Sequence, residues 1–145
     1  MLVREVAPKD RDEWLRMQQT LCPEHNNSGH INEMDKIRRD PNSQVYVLAR
    51  ADDRIGDFLE VATSAYVEGC HSSPVGYIEG WHVDKNLRQQ GLCSQLIWAA
   101  ENWARRIGCS EIASDCELNN IASILAHSAL GYEETYRLIH FRKEM

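Results

Sequence analysis

Along this chain, short β-branched and aromatic runs alternate with stretches in which apolar residues return every three to four positions. The first pattern marks strands and the second amphipathic helices. Leu2 to Val6 reads as a strand, and Pro8-Lys9-Asp10 breaks it, with Asp10 suited to cap a helix. Trp14, Met17, Gln18 and Leu21 then share one helical side. Pro23 to Gly29 is polar and turn-rich, and a second helix is predicted from about Ile31 to Arg39, where Asp40-Pro41 ends it. Gln44 to Arg50 and Ile55 to Val67 read as two strands joined at Asp52-Asp53-Arg54, with Gly56 at a bulge. After a loop from Glu68 to Pro74 comes the strand Val75 to Val83. Leu92, Leu96, Ala99, Ala100, Trp103 and Ile107 then outline a helix that stops at Gly108. A short strand over Glu111 to Asp115, a helix from Asn120 to Ala129 stopped by Gly131, and a last strand from Tyr132 to Arg142 complete the chain. The order is β, α, α, β, β, β, α, β, α, β, without internal repeat or linker.

A length of 145 residues is one domain, 1–145, able to bury a sizeable core. Hydrophobic and charged contents of 43% and 26% are those of a soluble globular protein. The longest apolar runs are far too short to cross a bilayer, and the N-terminus lacks a signal-peptide layout. A net charge of −6 argues against a nucleic-acid partner and suits a cationic substrate. Five cysteines, without a C-x-x-C pair, point to free thiols in a reducing cytoplasm. His71, His82 and His140 lack metal-ligand spacing, so no metal is expected. Trp14, Trp98 and Trp103 fall on helical faces and read as core.

The stretch Pro74 to Trp98 carries the most chemical information: strand, polar loop, then helix. The loop Arg88-Gln89-Gln90-Gly91-Leu92-Cys93 can aim backbone N–H groups at an anion, because Gly91 has no Cβ and a helix follows. Arg88 adds a forked cationic contact. Glu79 is the only carboxylate within an otherwise apolar strand, and it reads either as a solvent-facing position or as a functional acid. Asp115 ends the next strand, as a turn cap or a second acid. Asn120 and His127 are two helical turns apart and share a face.

The loop resembles the Q/R-x-x-G-x-G/A pyrophosphate loop of the GNAT superfamily of acetyl-CoA-dependent N-acetyltransferases, with Cys93 where Gly or Ala is usual. Asn120, His127 and Gly131-Tyr132 are similar to its fourth-helix pattern, and the element order matches over essentially the whole chain. The resemblance implies an α/β fold with a mixed sheet of about six or seven strands and about four helices. Strands four and five would be parallel and splay apart to admit acetyl-CoA. Glu79 would be a base or water-holding residue. His127 stands where a Tyr usually protonates the leaving thiolate, so it reads as that donor, or as a packing or CoA contact.

Tyr66-Val67, Gly69-Cys70, Ser72-Ser73-Pro74-Val75, Glu79-Gly80, Ala113-Ser114-Asp115 and Leu130 to Thr135 are similar to the short aminoglycoside 6′-N-acetyltransferases. That likeness implies drug contacts from Tyr66, Glu79 and Asp115. It implies acetyl-CoA contacts from Trp81, His82, Val83, Arg88, Gln89, Gln90, Gly91, Leu92, Cys93 and Asn120. Three positions depart: Cys22 stands for a stacking Trp, Glu68 for an Asn, and Tyr136 for a Glu. Pro23 and His25 keep the local pattern. The expected activity is acetyl transfer from acetyl-CoA to the 6′-amine of an aminoglycoside, by a cytoplasmic homodimer paired through its C-terminal strands. The alternatives are a GNAT enzyme for another amine, such as a polyamine or a protein N-terminus, and a non-catalytic acyl-CoA or drug-binding module.

Overall fold

The computed structural model describes residues 2–83 and 93–145, with Val83 described by its backbone alone. Its strands are β1 (Leu2–Glu5), β2 (Ser43–Ala49), β3 (Ile55–Ser64), β4 (Val75–Val83) and β5 (Ile112–Ala113). They form one sheet in that order. Neighbours are antiparallel except β4 and β5, which run parallel. Among the described residues four α-helices accompany the sheet: α1 (Arg11–Leu21), α2 (Asn27–Arg39), α3 (Cys93–Arg106) and α4 (Ile121–Ala129).

Strand alternation sorts the core into two layers. Val45, Val47, Ile55 and Phe58 face one side and meet Trp14 and Met17 of α1 and Met34 of α2. Tyr46, Leu59, Val61 and Ile78 face the other and meet Leu96, Ile97, Ala100 and Trp103 of α3. Gly108 and Gly131 follow α3 and α4 with φ of +99° and +89°, the left-handed geometry that ends a helix most cheaply with glycine. The predicted bulge at Gly56 is present: Leu48 pairs with Asp57 and Ala49 with Ile55, so Gly56 is skipped.

Several boundaries differ from the sequence reading. The first turn of α2 reaches back to Asn27, because the Asn26 side chain accepts the Gly29 N–H at 2.7 Å and caps it. Asp10 does not cap α1 with its side chain. Its carboxylate instead accepts two bonds from Arg4, at 2.7 and 2.9 Å, and one from the Ala7 N–H at 2.7 Å. The strand Ile55–Ser64 stops three residues short of Val67. Trp98 is exposed, not core. Residues 132–142 form no strand. A strand exists only through ladder bonds to a neighbour, and among the described residues no strand pairs with this segment. Leu138, Ile139 and Phe141 consequently stand in solvent. The sheet therefore has five strands among the described residues, fewer than the six or seven expected.

Candidate active site between the parallel strands

The ladder between β4 and β5 consists of Gly76↔Ile112 and Tyr77↔Ala113. Beyond it β4 runs on to Val83 with β3 as its strand partner among the described residues. Among the described residues no strand pairs with the β5 side of residues 78–83, which leaves the open edge and splay that the GNAT resemblance implied. Within that edge the register against β3 shifts: Val61 pairs with Ile78 and Glu60 with Gly80. Glu79 is the extra residue of a β-bulge, a device that bends a strand and re-aims its side chain. Ile78 on one side of it is buried while Glu79 is exposed at the mouth.

Acids and phenols gather around this bulge. Tyr77 donates to Asp115 Oδ2 at 2.6 Å. Burial, then this bond and the charges of Asp115 and Glu79, push the Tyr77 phenol well above its usual range, so it remains a donor. Partial burial, then the charges of Asp115 and Glu33, raise the proton affinity of Glu79. Tyr66 is raised first by the charge of Glu68 and also feels Tyr136. Pairwise electrostatic contacts thus run from Glu68 through Tyr66 and Tyr136 to Tyr77, and from Tyr77 to Glu79 and Asp115. Cys22 caps the end of α1, and burial, then Glu24 and Glu60, raise its thiol above the usual range. His25 lies with its ring 5.6 Å from that of His30, whose Nε2 is 3.1 Å from the Cys22 carbonyl.

The loop between β3 and β4 carries Tyr66 and Glu68, and two contacts hold it. The Glu111 carboxylate accepts the N–H groups of His71 and Ser72 at 2.8 and 2.7 Å and also the Ser72 hydroxyl. Gly69, at φ +84°, lies so close to Thr135 that a Cβ would come within 2.7 Å of its side chain.

His127 lies against Ser114, the residue before Asp115. Its Nδ1 is 2.7 Å from the Ser123 carbonyl and its Nε2 is 2.9 Å from Ser114 Oγ. A carbonyl only accepts, so the neutral ring carries its proton on Nδ1 and Ser114 donates to Nε2. The ring meets Trp81 and Tyr132 edge-on at 6.1 and 5.7 Å. Serving as a thiolate donor would require a second proton and a turned Ser114 hydroxyl. Asn120 caps α4, its Oδ1 accepting the Ser123 N–H at 3.1 Å.

Of the positions expected to meet acetyl-CoA, His82 turns its ring onto Phe58, stacked at 5.9 Å, so it offers the open edge only its backbone. Trp81 Nε1 is buried with no hydrogen-bond partner among the described residues. An orphaned indole donor beside an open strand edge fits an amide-rich ligand such as a pantetheine arm. Cys93 begins α3. Arg88, Gln89, Gln90, Gly91, Leu92 and the Val83 side chain lie outside the described residues. Among the described residues no group of three His, Cys, Asp or Glu side chains could hold a metal ion, and no helix is long and apolar enough to cross a membrane.

Sequence reasoning missed Tyr77, Glu33 and Glu60. Tyr77 was hidden because only tertiary structure shows its hydroxyl on Asp115. Glu60 had a visible signal: two-residue alternation from Phe58 places a carboxylate on a buried face.

Residues 11–132 match the Acetyltransferase (GNAT) family. The aminoglycoside N(6′)-acetyltransferase type 1 of Klebsiella aerogenes is 38% identical over 149 residues, covering 99% of this chain and 97% of that protein. The crystal structure of the apo aminoglycoside 6′-N-acetyltransferase AAC(6')-IG of Acinetobacter haemolyticus superposes with a TM-score of 0.90 at 30% identity, over 100% of this chain and 99% of the other. The structure of AAC(6')-Iy with the bisubstrate analogue CoA-S-monomethyl-acetylneamine gives 0.92 at 34% identity, over 99% and 98%.

Proposed function

The chain belongs to the GNAT family of acetyltransferases, and from that premise we propose that it moves the acetyl group of acetyl-CoA to the 6′-amine of aminoglycosides, so conferring resistance to them. Similarity over nearly the full length to enzymes of that name supports the reaction. The observation that carries the acceptor class is the bulge that turns Glu79 out beside Asp115 in an acid- and phenol-lined mouth. Such a mouth suits a flexible polycation whose ammonium groups need counter-charges.

Acetyl-CoA supplies an activated acyl group. The chain supplies an open β4 edge and the Trp81 indole to hold its amide-bearing arm, and the loop Arg88 to Cys93, with Asn120, to hold its phosphates. An ammonium is not nucleophilic, so the acceptor must lose a proton first. Glu79 and Asp115 attract the cation, and Glu79 takes that proton directly or through water. Its raised proton affinity makes it a better proton acceptor than an ordinary carboxylate. Removing one positive charge and one donor from the drug weakens its grip on an RNA target.

The working protein is a cytoplasmic homodimer. Its support is an uncovered apolar surface: Leu138, Ile139 and Phe141 are exposed, and α4 has no buried residue although it contains two Ile and a Leu. Segments 132–142 of two copies pair with one another and cover it.

The experiment is to mix protein, acetyl-CoA and a panel of amines and to follow release of free thiol. Aminoglycosides bearing a 6′-amine should release it and their 6′-hydroxyl analogues should not. Release with polyamines alone would select another acceptor. Thermal stabilisation by CoA without thiol release from any amine would mark a binding module instead.

A further inference from the structure

Glu60 is a buried carboxyl that the chemistry above leaves idle. It lies in β3 opposite Gly80, beside the bulge at Glu79, with 8% of its surface exposed. Trp14 Nε1 donates to its Oε1 at 3.2 Å, and the Gln18 amide donates to the same oxygen. Its other oxygen is turned toward β4, 3.1 Å from where a Cβ on Gly80 would sit. Glycine at that position puts no side chain of its own between the carboxyl and the bulge.

Both donors to Glu60 are neutral. Among the described residues, Glu33 from α2 and Glu79 from β4 act on it as like charges and the Cys22 thiol at the end of α1 lies within reach, while the His82 ring of β4 stacks on Phe58, two residues from Glu60 on β3. Burial first, then the charges of Glu33 and Glu79, push its proton affinity up to about 7, against the opposing pull of the Trp14 and Gln18 bonds. Near neutrality the group stands between its two states.

We propose that Glu60 is a latent acid of the acceptor site: held behind the bulge, it releases its proton to solvent when a polycationic acceptor binds in front, adding one negative charge to the site. The proposal rests on the acceptor reading above. Its sign follows directly. At a pH below about 7 the free protein carries a protonated Glu60. A bound cation favours the carboxylate, so acceptor binding expels a proton, and acceptor affinity rises as pH rises through that value.

The test compares the KM for kanamycin of wild type and Glu60→Gln at about pH 6 and about pH 8, with circular dichroism and thermal melts to confirm folding. The ligand's own amines titrate alike in both, so the ratio of the two KM values isolates Glu60. It should grow from about two-fold at the lower pH to roughly ten-fold at the higher, the scale of one screened charge pair. A ratio independent of pH would reduce Glu60 to a structural residue, and an unchanged KM would remove it altogether. Should Glu60→Gln fail to fold, Gln18→Leu removes a bond that favours the ionised form. The pH at which the KM falls should then move upward, and an unmoved profile overturns the proposal. Wild-type protein that acetylates no aminoglycoside defeats the acceptor reading instead. Calorimetry of kanamycin binding in two buffers of different ionisation enthalpy still decides this one: equal proton release from wild type and Glu60→Gln overturns it.

Discussion

Phe141 is 91% exposed and Ile139 72% exposed on the single chain, a heavy apolar load for the end of a protein. In the proposed dimer both move out of water against the partner. Burying a Phe side chain fully is worth about 1.5–3 kcal/mol, so Phe141→Ala should remove about 2 kcal/mol per copy. A two-fold interface contains the change twice, so the dimer loses about 4 kcal/mol. At about 1.4 kcal/mol per decade, that weakens the dimer dissociation constant roughly a thousand-fold. The folded monomer should lose less than about 0.5 kcal/mol, because the side chain packs on almost nothing within its own chain.

Sedimentation equilibrium over a concentration series reads the dissociation constant. Melts at high and low concentration read the coupling, since dimerisation makes Tm concentration-dependent. Wild type should show that dependence and Phe141→Ala should lose it. The reasoning fails if wild type sediments as a monomer at micromolar concentration. It fails equally if Phe141→Ala leaves the dissociation constant alone while lowering the Tm of dilute protein, because Phe141 would then be supporting its own chain.

Four further outcomes are expected. Glu79→Gln should cut kcat/KM for the acceptor by roughly 10²–10⁴ and recover partly at high pH, where more of the amine is neutral, with acetyl-CoA binding unchanged in a direct titration. Because partial burial, Asp115 and Glu33 raise the Glu79 proton affinity, activity should fall as pH falls through that raised value, and Asp115→Asn should move the acidic limb of the pH profile downward. Glu111→Ala should free the loop bearing Tyr66 and Glu68, raising acceptor KM about ten-fold in steady-state assays with little effect on acetyl-CoA KM. At Asp10, burial pushes the proton affinity up, but the Arg4 fork and the Ala7 N–H outweigh it and hold it below the usual range. That stability is present above the ordinary Asp value near ~3.9 and is lost as pH falls through the depressed one. Asp10→Ala should cost about 2–3 kcal/mol in urea titrations at neutral pH, less than the roughly 3–5 of a fully buried pair, since Arg4 keeps a fifth of its surface in water.

Legibility tracked locality. The stops at Gly108 and Gly131 were readable because each depends on the backbone freedom of one residue, and the bulge at Gly56 because a glycine interrupts the strand composition there. The bulge at Glu79 was not, since a register shift belongs to a pair of strands and Ile78-Glu79-Gly80 shows no break in pattern. Glu79 was readable as a lone acid in an apolar run, whereas its neighbours in space, Glu60 and Glu33, come from other elements. The last strand was misread for a related reason. Residues 132–142 have strand composition, but a strand requires a partner, and composition says nothing of whether that partner is in the same chain. Asp10 looked like a cap because its side chain suits one, and only the fold brings Arg4 close enough to take it.

The two successive residues that leave β5 divide the labour of the site. Ser114 meets His127 on the α4 side, and Asp115 meets Tyr77 on the side of Glu79. Side chains alternate along an extended chain, so adjacent residues serve opposite faces. The arrangement is sensitive, because a slip of one residue would exchange every side chain between faces. A ladder of Gly76↔Ile112 and Tyr77↔Ala113 is a slender means of preventing that. Three other contacts fix the register. The Gly76 N–H donates to the Glu111 carbonyl at 3.0 Å. A Cβ at Gly76 would meet Ala104 at 3.0 Å and Ile112 at 3.3 Å, so α3 and β5 close directly on the bare backbone of β4. The Tyr77–Asp115 bond then ties the exit of β5 back to the neighbouring strand. The edge can open for the acyl donor beyond Tyr77 because everything before it is locked. Glu79, the acid assigned above to the acceptor, sits two residues past the lock.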